Sequence, residues 1–174
     1  RTSGAIKVPF WLQPDTHYAG AAWYQTDIEI PKDWQGRRAI LRLERPHWQT
    51  LVALDAVVIG SNDSLSTPHE CDLGAAAPGP HVLTIRVDNS LVVDIGANSH
   101  SISDHTQGNW NGIVGAMTLE ARAPVWIEDL QVFPDVAAKS VRIVGRVGNV
   151  SGEASRASVT LHARGPRGGV GAGD

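Results

Sequence analysis

Apolar and polar residues alternate along much of this chain with a period of two, which is typical of β-strands that turn one face to a core. In residues 22–30 the two alternating sets are Tyr24, Thr26, Ile28 and Ile30, and Trp23, Gln25, Asp27 and Glu29. Residues 37–45 follow the same rule, with Ala39, Leu41 and Leu43 predicted to face the core and Arg38, Arg42 and Glu44 predicted to face solvent. Residues 81–89 form a third alternating run.

Further strand-like runs complete the pattern. Residues 51–60 contain a predicted turn at Asp55-Ala56, and shorter runs lie at 70–74 and 111–123. About seven short strands separated by turn residues, with no ten-residue helical pattern, predict an all-β sandwich or jelly roll. An α/β fold is not expected.

Ala123-Pro124 marks a candidate domain boundary. Three strand-like runs follow it and resemble the opening half of an immunoglobulin-like sandwich, which needs about 100 residues and seven strands when complete. We therefore expect a jelly-roll domain over 1–123, a partial immunoglobulin-like unit over 124–164 and a flexible glycine-rich tail over 165–174. Half a sandwich would expose strand edges and apolar side chains, so it should pack on the jelly roll, pair with another chain or be poorly ordered.

Residues 98–115 are the most polar stretch between two predicted strands. Burying so many polar side chains without partners would cost about 1–3 kcal/mol each, so we predict an exposed loop. Amide, carboxylate and imidazole groups suit sugar hydroxyls, and an indole suits the apolar face of a pyranose ring. Alternatively, the loop satisfies its own hydrogen bonds and its tryptophan plugs the sandwich. The candidate carbohydrate-binding residues are Asn98, His100, Asp104, His105, Gln107, Asn109, Trp110 and Asn111.

Composition narrows the range of partners. The net charge of −3 arises from 15 basic and 18 acidic residues that are interspersed, so we expect neither a nucleic-acid nor a membrane partner. No apolar run reaches the ~20 residues that span a bilayer. The single cysteine, Cys71, excludes an intrachain disulfide and is expected to be a small core residue. The chain lacks an initiator methionine and a signal-peptide pattern, so we expect a mature product or an excised piece.

Six segments between about Tyr18 and Asn149 form a specific combination, namely YAGAAWYQTDIEIP, LRLERPHW, GSNDSLSTPHECDL, LTIRVDN, SDHTQGNWNGIVG and PVWIEDLQVFPDV. Together they resemble the non-catalytic N-terminal part of glycoside hydrolase family 2 enzymes. The resemblance implies a galactose-binding-like jelly roll, then an immunoglobulin-like sandwich, then a TIM barrel with two catalytic glutamates. It also implies that residues 110–113 lean on that barrel and wall the sugar pocket, with Asp104, His105 and Asn109 as polar contributors.

The chain departs from the family at two places. Gln25 stands where relatives usually have Arg or Lys, and Asp55-Ala56 replaces a usual Asn-Gly turn. Glycine is the residue best suited to positive φ in a tight hairpin, so the detail of this hairpin is in question.

Catalytic and metal-binding alternatives depend largely on the same loop. Ser103, Asp104 and His105, with His100 and Ser101 nearby, could be imagined as a nucleophilic triad, but sequence neighbours on an extended loop point apart. Zinc could be bound by His100, Asp104 and His105, although no fourth ligand is indicated. We predict no cofactor. A structural calcium bound by Asn62, Asp63 and Glu70 is the open alternative to a simple turn there.

The tryptophans are interpreted one by one. Trp34 and Trp48 could form a sugar-stacking platform, but most tryptophans in a sandwich are core plugs, so we favour packing for Trp34. Trp23 is predicted to be a core residue, and Trp110 is predicted to bind sugar.

The functional hypothesis is a non-catalytic carbohydrate-binding domain of a retaining family 2 β-glycosidase. Retaining hydrolysis needs an acid and a nucleophile about 5 Å apart on one scaffold, and no barrel is present to hold them. Glu29, Glu44, Glu120 and Glu128 lie instead in predicted strands with solvated faces. The expected partners of the carbohydrate-binding domain are carbohydrate and either the missing TIM barrel or a second copy of the chain. The alternatives are a structural module without sugar affinity and, with less support, an autonomous hydrolase.

Overall fold

The computed structural model describes residues 18–96, 99, 102, 111–154, 156–164 and 170–173. They belong to two compact units, Arg1–Pro124 and Val125–Asp174. Each unit is described by itself.

The first unit is built from seven antiparallel strands in its described part. A short 3-10 helix, Lys32–Trp34, follows the first strand and lies within the PKDWQG turn. The strands are β1 (Ala21–Ile30), β2 (Arg38–His47), β3 (Gln49–Leu54), β4 (Val57–Asn62), β5 (His69–Asp72), β6 (Gly79–Asp88) and β7 (Gly112–Arg122).

These strands form two sheets. One has the order β1-β6-β3-β4 and the other the order β5-β2-β7. The β2–β7 pairing shifts register between Leu43 and Arg45, and the carboxylate of Glu44 accepts a hydrogen bond from the backbone N–H of Ala116 at 2.6 Å there. This bond holds the pKa of Glu44 below its usual value.

Alternating apolar residues from both sheets meet in one core. Ile30, Leu41, Leu43 and Val87 are almost completely buried, and each such side chain contributes about 1.5–3 kcal/mol relative to exposure in water. The inward parity predicted for residues 39–43 is confirmed. The other core members are Ala39, Val52, Leu54, Leu73, Leu83 and Ile85.

The face of β2 that is predicted to be solvated is less exposed than expected, since Ile40 is 2% exposed and Arg38 is 8% exposed. Arg38 is expected to face solvent. Its Nε donates a hydrogen bond to Oδ2 of Asp72 at 2.8 Å, and its terminal nitrogen lies 2.6 Å from the same oxygen. A buried guanidinium needs such a partner, and the neighbouring strand β5 ends with one.

The predicted turn at Asp55-Ala56 joins β3 to β4. Both residues have positive φ, 50° and 67°, which is the signature of the two-residue hairpin turn that fits the twist of a β-ribbon. Asp55 is fixed by its carboxylate, whose Oδ1 accepts the backbone N–H of Val82 at 2.9 Å. Ala56 adopts a conformation that costs a residue with a Cβ about 1–2 kcal/mol.

The second unit contains an antiparallel ribbon of β8 (Val125–Asp135) and β9 (Ser140–Asn149), and a pair formed by β10 (Leu161–Arg164) and β11 (Val170–Gly173). Large apolar side chains of the ribbon are exposed, among them Ile127, Leu130 and Val132 at 56–62%. Strand β11 lies within the predicted tail, 165–174, where it pairs with β10. The partial sandwich and the flexible tail stay predictions.

The all-β fold class predicted from the sequence is therefore confirmed, as an antiparallel β-sandwich in the first unit. The galactose-binding-like and immunoglobulin-like assignments stay predictions. In the part of the chain that the structure describes, no helix is long and apolar enough to cross a membrane.

Candidate functional site

Five strand ends gather at the end of the sandwich from which the polar segment departs. Strand β6 ends at Asp88, and the register places Ala21 of β1 and Gln49 of β3 beside it. Strand β7 begins at Gly112, whose partner is His47 at the end of β2. Residues 89–111 therefore leave from one sheet and return to the other at the same end of the fold.

Asn89 connects three parts of this end. Its Oδ1 accepts the backbone N–H of Gly20 at 2.7 Å. Its Nδ2 donates to the carbonyl oxygen of Tyr18 at 2.6 Å and to Oδ1 of Asn111 at 2.5 Å. The start of β1, the end of β6 and the approach to β7 are thus tied together by one amide side chain.

The return into β7 depends on a glycine. Gly112 has φ of +75°, and a Cβ at this position would lie 2.5 Å from the hydroxyl of Tyr24. A side chain there would meet both a backbone penalty and a close contact. Only glycine fits this approach without movement of Tyr24.

Trp48 lies at the same end but is not exposed for stacking. It follows a cis peptide bond after His47, it is 4% exposed, and its Nε1 donates to the carbonyl oxygen of Asp63 at 2.6 Å. Trp34 packs against the core, as predicted. The stacking platform considered for Trp34 and Trp48 is therefore wrong for Trp48 and unsupported for Trp34.

Trp23 also differs from the prediction. It is expected in the core, but it is 63% exposed on β1. Its strand partner is Arg86, whereas the core of the same sheet contains the flanking residues Ile85 and Val87. The alternation that groups Trp23 with Gln25 and Asp27 predicts its exposure better than its residue type does.

Of the predicted carbohydrate-binding residues, only Asn111 lies within the described part of the chain. It is exposed and bonded to Asn89. Near it in sequence, Ser99 is 8% exposed and Ile102 donates a backbone hydrogen bond to the carbonyl oxygen of Ser99 at 3.3 Å. The other predicted positions lie outside the described residues, namely Asn98, His100, Asp104, His105, Gln107, Asn109 and Trp110, and so do Ser101 and Ser103 of the considered triad.

A buried histidine, His69, lies near β4 and β5, which are edge strands of the two sheets. Nε2 of His69 is 2.7 Å from the carbonyl oxygen of Ser64, and Nδ1 is 2.7 Å from the hydroxyl of Thr50. A carbonyl only accepts, so Nε2 carries the proton and Nδ1 accepts from Thr50. Burial lowers the pKa of His69, so the neutral ring is the form that fits.

His69 and Cys71 line a cavity of about 190 Å³ between these strands. Burial raises the pKa of the Cys71 thiol, which leaves it protonated and weakly nucleophilic at neutral pH. Cys71 packs against the core, as predicted. The cavity is therefore a packing feature with an unreactive thiol.

The residues considered for calcium have other partners. Both carboxylate oxygens of Glu70 lie 3.1 Å from nitrogens of Arg122, and Oδ1 of Asn62 accepts the backbone N–H of Ser64 at 2.9 Å. Thr67 donates to the hydroxyl of Ser64 at 2.8 Å, which supports the turn interpretation. Among the described residues, no three His, Cys, Asp or Glu side chains gather as metal ligands do.

Three of the four glutamates considered for catalysis contact an arginine or a backbone N–H. Glu44 contacts the Ala116 N–H and Arg45, Glu120 contacts Arg122, and Glu128 contacts Arg146. Exposed ion pairs of this kind add little to the stability of a fold. These glutamates lie on solvated strand faces, as the sequence indicates.

The first unit is a β-sandwich whose fold can be compared with solved structures. No protein-family profile matches the chain. Three solved β-glucuronidases resemble it in fold. That of Faecalibacterium prausnitzii is 23% identical with a TM-score of 0.54, and covers 76% of this chain and 27% of its own.

The Ruminococcus gnavus β-glucuronidase is 14% identical with a TM-score of 0.57, over 88% of this chain and 27% of its own. Bacteroides uniformis β-glucuronidase 3 is 22% identical with a TM-score of 0.56, over 80% and 20%. This chain therefore spans about a quarter of the length of these enzymes or less, and at such identities the likeness concerns the fold.

Proposed function

We propose that the chain is a non-catalytic, carbohydrate-binding part of a family 2 β-glycosidase, and that residues 98–111 contact the glycan. The observation that carries the proposal is the bracket around Asn89, which ties both ends of the polar segment to one end of a sandwich that is similar to part of β-glucuronidases. A polar segment with fixed ends can present side chains in a limited set of orientations, which lowers the entropic cost of binding.

Two further points support the proposal. Asn111, the candidate residue within the described chain, is exposed, and Asn89 donates a hydrogen bond to its side-chain oxygen, so the amide is held at the base of the polar segment. Among the described residues, Glu44, Glu120 and Glu128 are engaged by arginines or backbone, whereas a retaining hydrolase needs a free acid and nucleophile about 5 Å apart. Turnover would then require residues outside this part of the chain.

Binding is tested by titrating the full chain with oligosaccharides of galactose, xylose and glucose and with a phenyl glucuronide, followed by calorimetry. We expect binding of at least one probe and a loss of affinity of about tenfold in Trp110→Ala, since an aromatic contact contributes up to about 1.5 kcal/mol. Val58→Ala is the control, because Val58 is 59% exposed on β4. Unchanged affinity in Trp110→Ala would show that the loop is not the site.

Catalysis is tested separately with aryl glycosides, from which the wild-type chain should release no chromophore. Release that survives purification and is removed by substitution of Asp104 would establish an autonomous hydrolase instead.

A structural role is the second candidate, and the exposed apolar ribbon of the second unit favours it. Leu130, Val132 and Ile127 expose more than half of their surface, which marks a surface that is suited to another protein part. Absence of binding by every probe, together with concentration-dependent association in sedimentation, would favour this role over carbohydrate binding.

A further inference from the structure

A single row of residues crosses the outer face of the four-stranded sheet, from one edge to the other. Trp23 of β1 pairs with Arg86 of β6, Arg86 with Leu51 of β3, and Leu51 with Ser61 of β4. Cross-strand partners point to the same face of a sheet. We name these four residues the Trp23 row.

The face to which the row belongs is the one turned away from the core. Ile85 and Val87, on either side of Arg86, are 3% and 2% exposed, so Arg86 points to the opposite side. Trp23 is 63% exposed. A single exposed apolar side chain is common on protein surfaces, so the case for a ligand depends on what surrounds this indole.

The surroundings of Trp23 are polar, and their charges are compensated. Arg86 forms an ion pair with Asp88 on its own strand. Gln25, on the same side of β1 as Trp23, donates to the hydroxyl of Thr84 at 3.0 Å. Gln49 is the strand partner of Asp88. The face therefore offers amides, hydroxyls and a paired guanidinium on one side of the ring. On its other side, Trp23 borders a depression that is also lined by Tyr24, Ile113 and Met117.

A depression of about 380 Å³ lies along the other half of the row. It is lined by polar groups of three strands and the loop after β4, together with Leu51. Its lining includes Gln49, Ser61, Asp63 and Arg86. Arg86 thus stands between the exposed indole on one side and a polar depression on the other.

We propose that the Trp23 row is a second carbohydrate-binding surface, with Trp23 stacking on the apolar face of one pyranose ring and Arg86, Gln49 and Ser61 bonding hydroxyls of the next rings. The row spans three strand spacings of about 4.8 Å each, roughly 14 Å. That length fits a short oligosaccharide lying across the strands better than a single sugar. The surface is separate from residues 98–111 and goes beyond the function proposed for them.

The composition of the face favours an uncharged, hydroxylated ligand over other classes. A protein interface has a dry centre depleted in charge and enriched in apolar groups, whereas Trp23 has charged and amide neighbours. A polyanion would need unpaired cations, but the Arg86 guanidinium is engaged by Asp88. A sugar ring satisfies both parts of the surface, since it has one apolar face and a polar rim.

The experiment compares four variants of the full chain by calorimetry and NMR titration with β-linked glucose, xylose and galactose oligosaccharides of one to four units. Trp23→Ala should lose about tenfold in affinity, and Trp23→Tyr should stay within about threefold of wild type because it keeps a ring. Val82→Ala is the matched control, as Val82 is 37% exposed on β6 of the same sheet. Trp110→Ala reports on the loop independently. Affinity should rise from one unit to three, because longer ligands reach Arg86 and the depression.

The outcomes separate this surface from the loop. A loss of affinity in Trp23→Ala with little change in Trp110→Ala supports the Trp23 row as a binding surface that is independent of the loop. A loss in Trp110→Ala alone leaves the loop proposal intact and overturns the row. Binding by no oligosaccharide overturns both, and a Trp23→Ala variant that changes only self-association in sedimentation identifies the face as a protein contact.

Discussion

Asn89 donates a hydrogen bond to Oδ1 of Asn111 at 2.5 Å, although 22 residues separate the two side chains. The bond joins the two ends of a long polar segment. Closing a segment of this length costs conformational entropy that a local turn does not, so a fixed contact at its base limits how far its ends can separate. The same Asn89 amide also holds the backbone of Tyr18 and Gly20.

The first prediction concerns this bracket. Asn89→Ala removes three hydrogen bonds and should lower the free energy of unfolding by about 1.5–4.5 kcal/mol, at roughly 0.5–1.5 kcal/mol per bond. Urea denaturation measures the loss. Asn111→Ala removes one of the three bonds and should cost less. Equal stability of Asn89→Ala and wild type would mean that the bracket has no energetic role.

The second prediction concerns the hairpin between β3 and β4. Ala56 has φ of 67°, so Ala56→Gly should stabilise the first unit by about 0.5–1 kcal/mol after the added flexibility of the unfolded chain is subtracted. Gly36→Ala is the matched control with the opposite sign. Gly36 has φ of +75° and open space around its Cβ position, so its cost of about 1 kcal/mol should be purely conformational.

The third prediction concerns His69. Its pKa is lowered in the folded protein by burial, so the unfolded chain, with a histidine pKa of about 6.5, binds a proton more readily. Its contribution to stability is therefore full above about pH 6.5 and is lost as the pH falls through the lower folded value. Denaturation midpoints at pH 7.5 and 5 should differ less in His69→Gln than in wild type. An identical pH dependence would contradict the neutral buried ring.

The fourth prediction has the opposite sign. His81 lies between two acceptors, with Nδ1 2.6 Å from Oδ2 of Asp55 and Nε2 2.6 Å from the carbonyl oxygen of Ala77. The hydrogen bond to Asp55, and then that to Ala77, raise the pKa of His81. The stabilisation is present below the unfolded value of about 6.5 and is lost as the pH rises through the folded one.

His81→Gln tests this prediction directly. The substitution should destabilise the chain more at pH 5.5 than at pH 8.5, because only the protonated imidazole donates to both acceptors. Asp55→Asn provides a second measurement, since removing the carboxylate should lower the pKa of the His81 ring in an NMR titration. A pH-independent effect of His81→Gln would leave packing as its only role.

The alternation of residue types predicts most of the first unit because sheet geometry forces it. Leu41, Leu43 and Val87 face the core where a period of two places them. The same rule grouped Trp23 with polar residues, and the error came from giving its aromatic character more weight than its position. Residue type is a preference over many proteins, whereas parity along a paired strand is a geometric requirement.

Contacts between distant parts of the chain cannot be predicted from the alternation of residue types. Arg38 is buried because Asp72, 34 residues later, lies on the neighbouring strand, and strand order cannot be read from alternation. Asn89 is the last residue of the strand-like run LTIRVDN, and nothing near it in the sequence indicates its hydrogen-bond partners. The predicted loop contributes one described residue to the site, Asn111, and its bond to Asn89 was also unforeseen.

The contrast between Trp23 and Trp48 gives the protein two optical reporters of opposite kind. An indole that is 63% exposed emits at longer wavelength and is quenched by iodide, whereas one that is 4% exposed emits at shorter wavelength and is shielded until the fold opens. With the other four tryptophans of the chain replaced by phenylalanine, collisional quenching should follow occupancy of the outer sheet face and the blue emission should follow unfolding, so one spectrum separates ligand capture from loss of structure.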